Sequence, residues 1–401
     1  VSGFVSQRTH FCTMGAIADV VNMGDWTRAR QWMLAIGVAM VGFAVMAGTG
    51  VIDASKTIYA SNRFIWLSCA VGGLLFGYGM VIASGCGNKA LVRIGGGNLK
   101  SVVVFVVMGL SAFATLKGIT AVVRVNTVDA VAIDMPQGAS LSALTSQWLG
   151  LSANAAMLWV GLFLGALFIL SSLKNAESRS AENVLAGVVT GGVIAALWWV
   201  SGHHGFVPEH PETLEPVYVA TAAGRIESLS FVAPVAQTLD WLMFFSDKTK
   251  VLTAGVMAVF GVILGSMASS LWQGSFRWEG FASPRDLSQH LLGAVLMGVG
   301  GVTGMGCTFG QGLSGLSTLS LNSVVTVLAI VAYFGVMSPS VLLAFTFALG
   351  VGAALWGPSW QASVGDLVPR AEVPAAVDQS CSPSATHSEA GLRASSFSRS
   401  R

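Results

Sequence analysis

Long apolar runs, each near the length of a bilayer crossing, dominate the chain. A helix needs about 20 predominantly apolar residues to span the hydrocarbon core. Runs of that order fall at 30–52, 66–83, 101–123, 151–173, 183–201, 251–272, 288–304 and 324–356. The last is longer and contains Ser338-Pro339-Ser340, so it reads as two spans or one broken span. Two further stretches, 3–22 and 226–245, are apolar but seeded with polar residues. They read as re-entrant or half-spanning segments, which survive at membrane depth only where protein or a water-filled cavity covers them. From 358 the chain turns to serine, alanine and charge, and a disordered tail is predicted over 358–401.

Two interruptions of the apolar pattern resemble each other. Ser84-Gly85-Cys86-Gly87-Asn88-Lys89 closes one run, and Gly304-Met305-Gly306-Cys307-Thr308 closes another. A shift of 221 lays residues 72–86 over 293–307 with seven identities in fifteen positions, and carries the starts of neighbouring runs onto one another. The chain therefore reads as an all-α polytopic membrane protein with about 8–10 spanning helices. Repeat 1 occupies 1–150, linking helices and a loop 151–223, and repeat 2 residues 224–357, ahead of the tail. Five runs lie between the two breaks, an odd number. This predicts pseudo-symmetric inverted repeats, with re-entrant or broken helices meeting near the midplane.

Composition agrees: 53% of residues are hydrophobic and 10% are charged, against about 25% in soluble domains. With a net charge of +2 and no basic cluster, nothing points to nucleic acid. The chain opens at Val1 inside a motif-bearing segment without a cleavable signal, and a trimmed start is expected. Arg28, Arg30, Lys174, Arg179, Arg277 and Arg285 fall on one predicted side, with Glu209, Glu212 and Glu215 opposite. Lys89, Arg93 and Lys100 join the first side, but if they line a path the basic bias no longer reports orientation.

Of the five cysteines, Cys69 lies within an apolar span and reads as packing, and Cys381 falls in the tail. Cys12, Cys86 and Cys307 sit beside glycine or polar residues, and no CxxC pair exists. Broken helices offer free N–H groups and partial positive charge to an anion, and Gly85, Gly87 and Gly306 let it approach the backbone. Arg8, His10, Lys89 and Arg93 add positive charge nearby, Lys89 and Arg93 reading equally as headgroup anchors. A thiol is a weak, soft donor, suited to a sulfur-bearing anion that must be held loosely and released. Asp19 and Asp240 read as helix-end or inter-helix partners. His203 and His204, after Trp198-Trp199, read as an interfacial loop rather than a metal site.

The segments QRTHFCTMGAI, SGCGNKALVRIGGGN and MGCTFGQGLSG resemble the signature segments of the YeeE/YedE family of membrane sulfur-compound transporters. The likeness extends over roughly 3–356. It implies an inner-membrane permease of a bacterium, with no enzymatic step and no cofactor or metal. The cargo implied is thiosulfate or a related anion, passed along hydrogen-bonding thiols at Cys12, Cys86 and Cys307. Some family members carry or neighbour a cytoplasmic sulfur-relay protein; this chain shows no such soluble domain.

Two other readings compete. A membrane thiol protein handling sulfane sulfur, or selenium, through a transient persulfide needs a cysteine of depressed pKa and an acceptor. A soft-metal path through Cys12, Met14, Met305 and Cys307 has suitable ligands but cationic neighbours.

Overall fold

Side-chain oxygens at the helix starts and backbone reversals inside the apolar runs set the architecture. The computed structural model describes residues 1–332, apart from 176, 210–213, 215, 220, 248–250 and 282. A broken N-terminal pair, α1 (Ser2–Thr9) and α2 (Thr13–Met23), precedes the long α3 (Thr27–Gly48). A loop leads to α4 (Trp66–Ile82), the short α5 (Gly87–Gly95) and α6 (Leu99–Lys117). Then come α7 (Ile119–Asn126), α8 (Leu141–Leu149), α9 (Ala153–Ser172) and α10 (Ala181–Trp199). The remaining described helices are α11 (Val232–Met243), α12 (Ala254–Trp272), α13 (Pro284–Thr303) and α14 (Leu321–Ala332). Ser152, Ser180, Thr253 and Ser283 cap α9, α10, α12 and α13, each accepting a backbone N–H of the first turn.

The protein is all-α and polytopic. Among the described residues, six helical stretches are long and apolar enough to cross a membrane: α3, α4 running on through α5, α6, α9, α10 with its continuation to His204, and α12. Helix α13 matches them at 20 residues but opens with Arg285 and Asp286, and α14 reaches the limit of the described residues. The run at 101–123 is divided at Gly118, which ends α6 and starts α7. The two segments read as re-entrant are short helices, α1 and α2 on either side of a break and α11. The remainder of the run at 324–356 and the tail 358–401 lie outside the described residues.

Close packing of α4 on α13 forms the centre. A Cβ on Gly79 would stand 2.7 Å from the Gly293 carbonyl oxygen, and one on Gly300 would stand 2.5 Å from the Phe76 nitrogen. With no hydrophobic drive between helices in lipid, such backbone-to-backbone approach supplies the packing energy. Helix α6 packs on the same α13, and α14 on α4. On one flank α3 lies against α9 and α10, tied to α10 by an amide hydrogen bond from Gln31 to Asn183. At the end of α4 where Trp66 lies, the Ser68 hydroxyl sits 2.5 Å from Asp129 and 2.9 Å from the Thr303 carbonyl. Arg124 closes this network, its Nε 3.1 Å from Asp129.

The packing predicts a graded response to added side chains. Gly79→Val and Gly300→Val force α4 and α13 apart, overpacking that costs about 1–3 kcal/mol. Gly192→Ala, at a position with nothing within 4 Å of the new methyl, is neutral. Thermal unfolding of the detergent-solubilised variants checks this: the midpoint falls in the first two and holds in the third.

Candidate functional site: three thiols behind a basic cavity

Each of the three cysteines stands at the start of a helix, directly after a chain reversal. His10, in the left-handed region at φ 51°, ends α1, and Cys12 then caps α2. Its sulfur accepts the Gly15 N–H at 3.4 Å. Ser84, at φ 56°, follows α4, with the Gly85 N–H bonded to the Met80 carbonyl at 2.9 Å, and Cys86 caps α5. Met305, at φ 61°, follows α13, with the Gly306 N–H bonded to the Gly301 carbonyl at 2.7 Å. Cys307 then starts a helical segment that widens into a π-helical turn over Gly310–Gly315, and its sulfur accepts the Gly310 N–H at 3.4 Å.

The glycines serve these reversals differently from what the sequence suggests. The left-handed positions are Ser84 and Met305; Gly85 and Gly87 have negative φ. Gly85 instead provides room, since a Cβ there would stand 2.8 Å from the Lys89 Cδ. Around Gly87 an added Cβ meets only ordinary contacts, at 3.5 Å or more. Gly306 alone of the three has a positive φ, at 157°, near the extended limit.

The reversals bring the thiols inward. Cys12, Cys86 and Cys307 are 7%, 1% and 1% exposed, so none is a surface thiol. Cys12 and Cys86 lie within electrostatic reach of one another, as do Cys86 and Cys307. Aromatic rings pack beside them: Phe11 stacks on Trp32 at 5.0 Å, and Phe309 meets Trp32 and Phe231 edge-on at 5.3 and 5.2 Å. Past Cys307, Ser230 approaches its sulfur at 4.0 Å, and the buried Tyr59 hydroxyl donates to the Gly310 carbonyl at 2.7 Å. Glu227 lies close to Tyr59, and burial raises its carboxyl above the ordinary range. Cys69 stands apart, its thiol 3.7 Å from the Asn322 amide oxygen, so it has a polar partner as well as a packing role.

On the other side of Cys12 opens a cavity of about 580 Å³. Its wall carries Arg28, Lys89, Arg93, Lys100 and Arg277, with His10 and His290, against two acids, Glu279 and Asp286. Both acids are engaged: Asp286 pairs with Lys100 at 2.7 Å and His290 at 3.1 Å, and Glu279 accepts from Asn98 at 2.7 Å. Arg28 pairs with Asp19 at 3.2 Å. Lys89, Arg93 and Arg277 have no ion pair among the described residues, so the cavity presents uncompensated positive charge beside a thiol. Of the residues singled out in the sequence, His10, Cys12, Lys89 and Arg93 share this wall. Arg8 is exposed at the end of α1 and outside the wall.

Sequence reasoning missed Arg28, Lys100, Arg277 and His290 as members of one site. The available signal was the basic bias of one predicted side. Much of that bias belongs to the cavity, so it is a property of the site before it is a marker of orientation.

A sequence model of the family described as "Sulphur transport" matches residues 8–337. The chain belongs to the sulphur transport family. The family expected from the three cysteine segments is thus the one found. A second model, described as "Transmembrane secretion effector", matches 314–382, overlapping the end of the first. The thiosulfate transporter TsuA of Escherichia coli (strain K12) is 27% identical over 318 residues, covering 78% of this chain and 83% of its own length. The thiosulfate transporter TsuA of Spirochaeta thermophila is 25% identical over 332 residues, covering 80% and 90%.

For this member of the family the geometry makes two chemical predictions. Mild oxidation joins Cys12 to Cys86, removing two titratable thiols, and neither Cys12→Ser nor Cys86→Ser protein forms the bridge. An anionic methanethiosulfonate converts Cys12 to the mixed disulfide, with release of methanesulfinate, faster than its cationic counterpart does, and salt narrows the difference. Mass spectrometry of the labelled peptides reads both outcomes; a bridge involving Cys69, or faster cationic labelling, contradicts the arrangement.

Proposed function

We propose that the protein is a permease of the bacterial inner membrane for thiosulfate or a closely related sulfur-containing anion. Cys12, Cys86 and Cys307 pass the ion along a line of weak hydrogen-bond donors. One observation carries the reading: a buried file of thiols, each at a helix N-terminus, begins at the wall of a 580 Å³ cavity rich in unpaired cations. The cavity concentrates anions, and the helix N-termini stabilise negative charge without fixing it. The thiols offer donors soft enough to release a sulfur atom, as permeation through successive sites requires. The names of the two relatives point the same way.

The halves 1–150 and 224–357 act in this reading as inverted repeats, each supplying one glycine-cysteine reversal to a shared path. Support comes from the matching reversals at Ser84 and Met305 and from α6 on α13 answering α14 on α4. The cations around Cys12 repel a soft metal cation. The nearness of Cys12 to Cys86 is the one observation that suits the persulfide reading, in which a sulfane sulfur rests covalently on one thiol. A cytoplasmic sulfur-accepting protein as a partner accords with either chemistry.

Growth separates these alternatives. Expressed in a bacterium deprived of its own thiosulfate uptake, the wild type restores growth on thiosulfate as sole sulfur source. Cys86→Ala and Cys307→Ala fail to do so while reaching the membrane in normal amount. Full growth of both variants removes the thiol path. A stable added sulfur on Cys86 after substrate exposure, seen by intact-peptide mass spectrometry, replaces the permease with the persulfide mechanism.

A further inference from the structure

Asn88 is an anomaly beside the thiol file. It is 1% exposed, and neither its amide oxygen nor its amide nitrogen has a hydrogen-bond partner. Among the described residues no other side-chain amide has both ends enclosed and unmet. Leaving one buried polar group unpaired already costs free energy, and in a membrane interior no solvent relieves it. An apolar residue of the same size avoids that cost. An amide at this position calls for a partner that is present only part of the time.

The position identifies that partner. Asn88 is the second residue of α5, and Cys86 is the cap of the same helix. The thiol and the amide thus belong to one helix start, two residues apart, and the Cys86 sulfur is not tied up by a capping bond of its own. Lys89, the next residue, lies in the wall of the basic cavity. A thiol is a soft donor, whereas a carboxamide offers two N–H donors suited to hard oxygen. The two together match an anion that carries a terminal sulfur at one end and oxygens at the other.

We propose that Asn88 is a specificity-determining residue, its amide N–H groups taking the oxygens of the anion while Cys86 holds its sulfur. This rests on the permease reading above and deepens it: the station at Cys86 selects sulfur oxyanions over anions with sulfur alone, such as hydrosulfide. Being uncharged, the amide adds selectivity without the tight grip of a cation, so the ion is released to the next thiol.

The test uses the purified full chain in proteoliposomes, with radiolabelled thiosulfate uptake and competition by unlabelled hydrosulfide. Asn88→Leu keeps the size and removes both polar ends; Asn88→Asp keeps the shape and adds repulsion. The inference expects the KM for thiosulfate to rise about tenfold or more in each, as loss of a hydrogen bond to a charged group implies. Hydrosulfide then competes relatively better against thiosulfate in Asn88→Leu than in wild type. The thermal unfolding midpoint of Asn88→Leu holds or rises, because an unmet amide has been removed; a purely structural residue gives a fall with KM unchanged. A wild-type KM in both variants, or an unchanged hydrosulfide ratio in Asn88→Leu, overturns the role of Asn88 alone. Wild-type liposomes without saturable thiosulfate uptake overturn the permease reading and this inference with it.

Discussion

Among the described residues, the helices that begin at Cys12, Cys86 and Cys307 start inside the protein, and much of the structure follows from covering those starts. The first turn of any helix leaves its N–H groups without intrahelical partners. In hydrocarbon each such group is costly, so a helix start at depth has to be enclosed by protein or meet a ligand. Here the starts at Cys12, Cys86 and Cys307 are enclosed, and two of the three cysteine sulfurs accept a backbone N–H of the turn they cap. The same groups that demand cover are what an anion seeks.

Enclosure requires the surrounding helices to come close, and the glycine faces of α4 and α13 make that approach. Their contact puts the reversal after α4 and the reversal after α13 into one packed unit, so Cys86 and Cys307 are set by the backbone rather than by mobile loops. Aromatic rings of Phe11, Trp32, Phe231 and Phe309 fill the space beside the thiols and exclude bulk water from the file. In such a dry setting weak donors count for more than they do in water, while the unpaired cations remain at the mouth, where they attract without trapping.

Much of this was legible in the sequence. Spans show as apolar runs because lipid tolerates little else, and the glycine-cysteine breaks show because they interrupt those runs. The three cysteine segments pointed to the family without any coordinates. Other features depend on side chains meeting from distant segments, which a linear reading does not hold. Arg28, Lys100, Arg277 and His290 converge on one cavity from α3, α6, the loop after α12, and α13. Ser84 and Met305, rather than the neighbouring glycines, take the left-handed turn, since what the turn needs at Gly85 is space for Lys89. Nothing in the sequence singles out Asn88; only its burial without partners distinguishes it. The cut at Gly118 was missed because hydrophobicity continues across it, and the chain beyond Ala332 lies outside the described residues.

The central claim is that the anion passes the buried thiol file and no other thiol. It is tested most directly by the initial rate of radiolabelled thiosulfate influx into liposomes holding wild type, Cys86→Ser or Cys69→Ser protein. Cys86 lies in the file and Cys69 outside it, though both are buried. The account predicts that Cys86→Ser loses most of the influx, about tenfold or more, while Cys69→Ser keeps the wild-type rate. Equal rates in all three, or a loss confined to Cys69→Ser, contradict it.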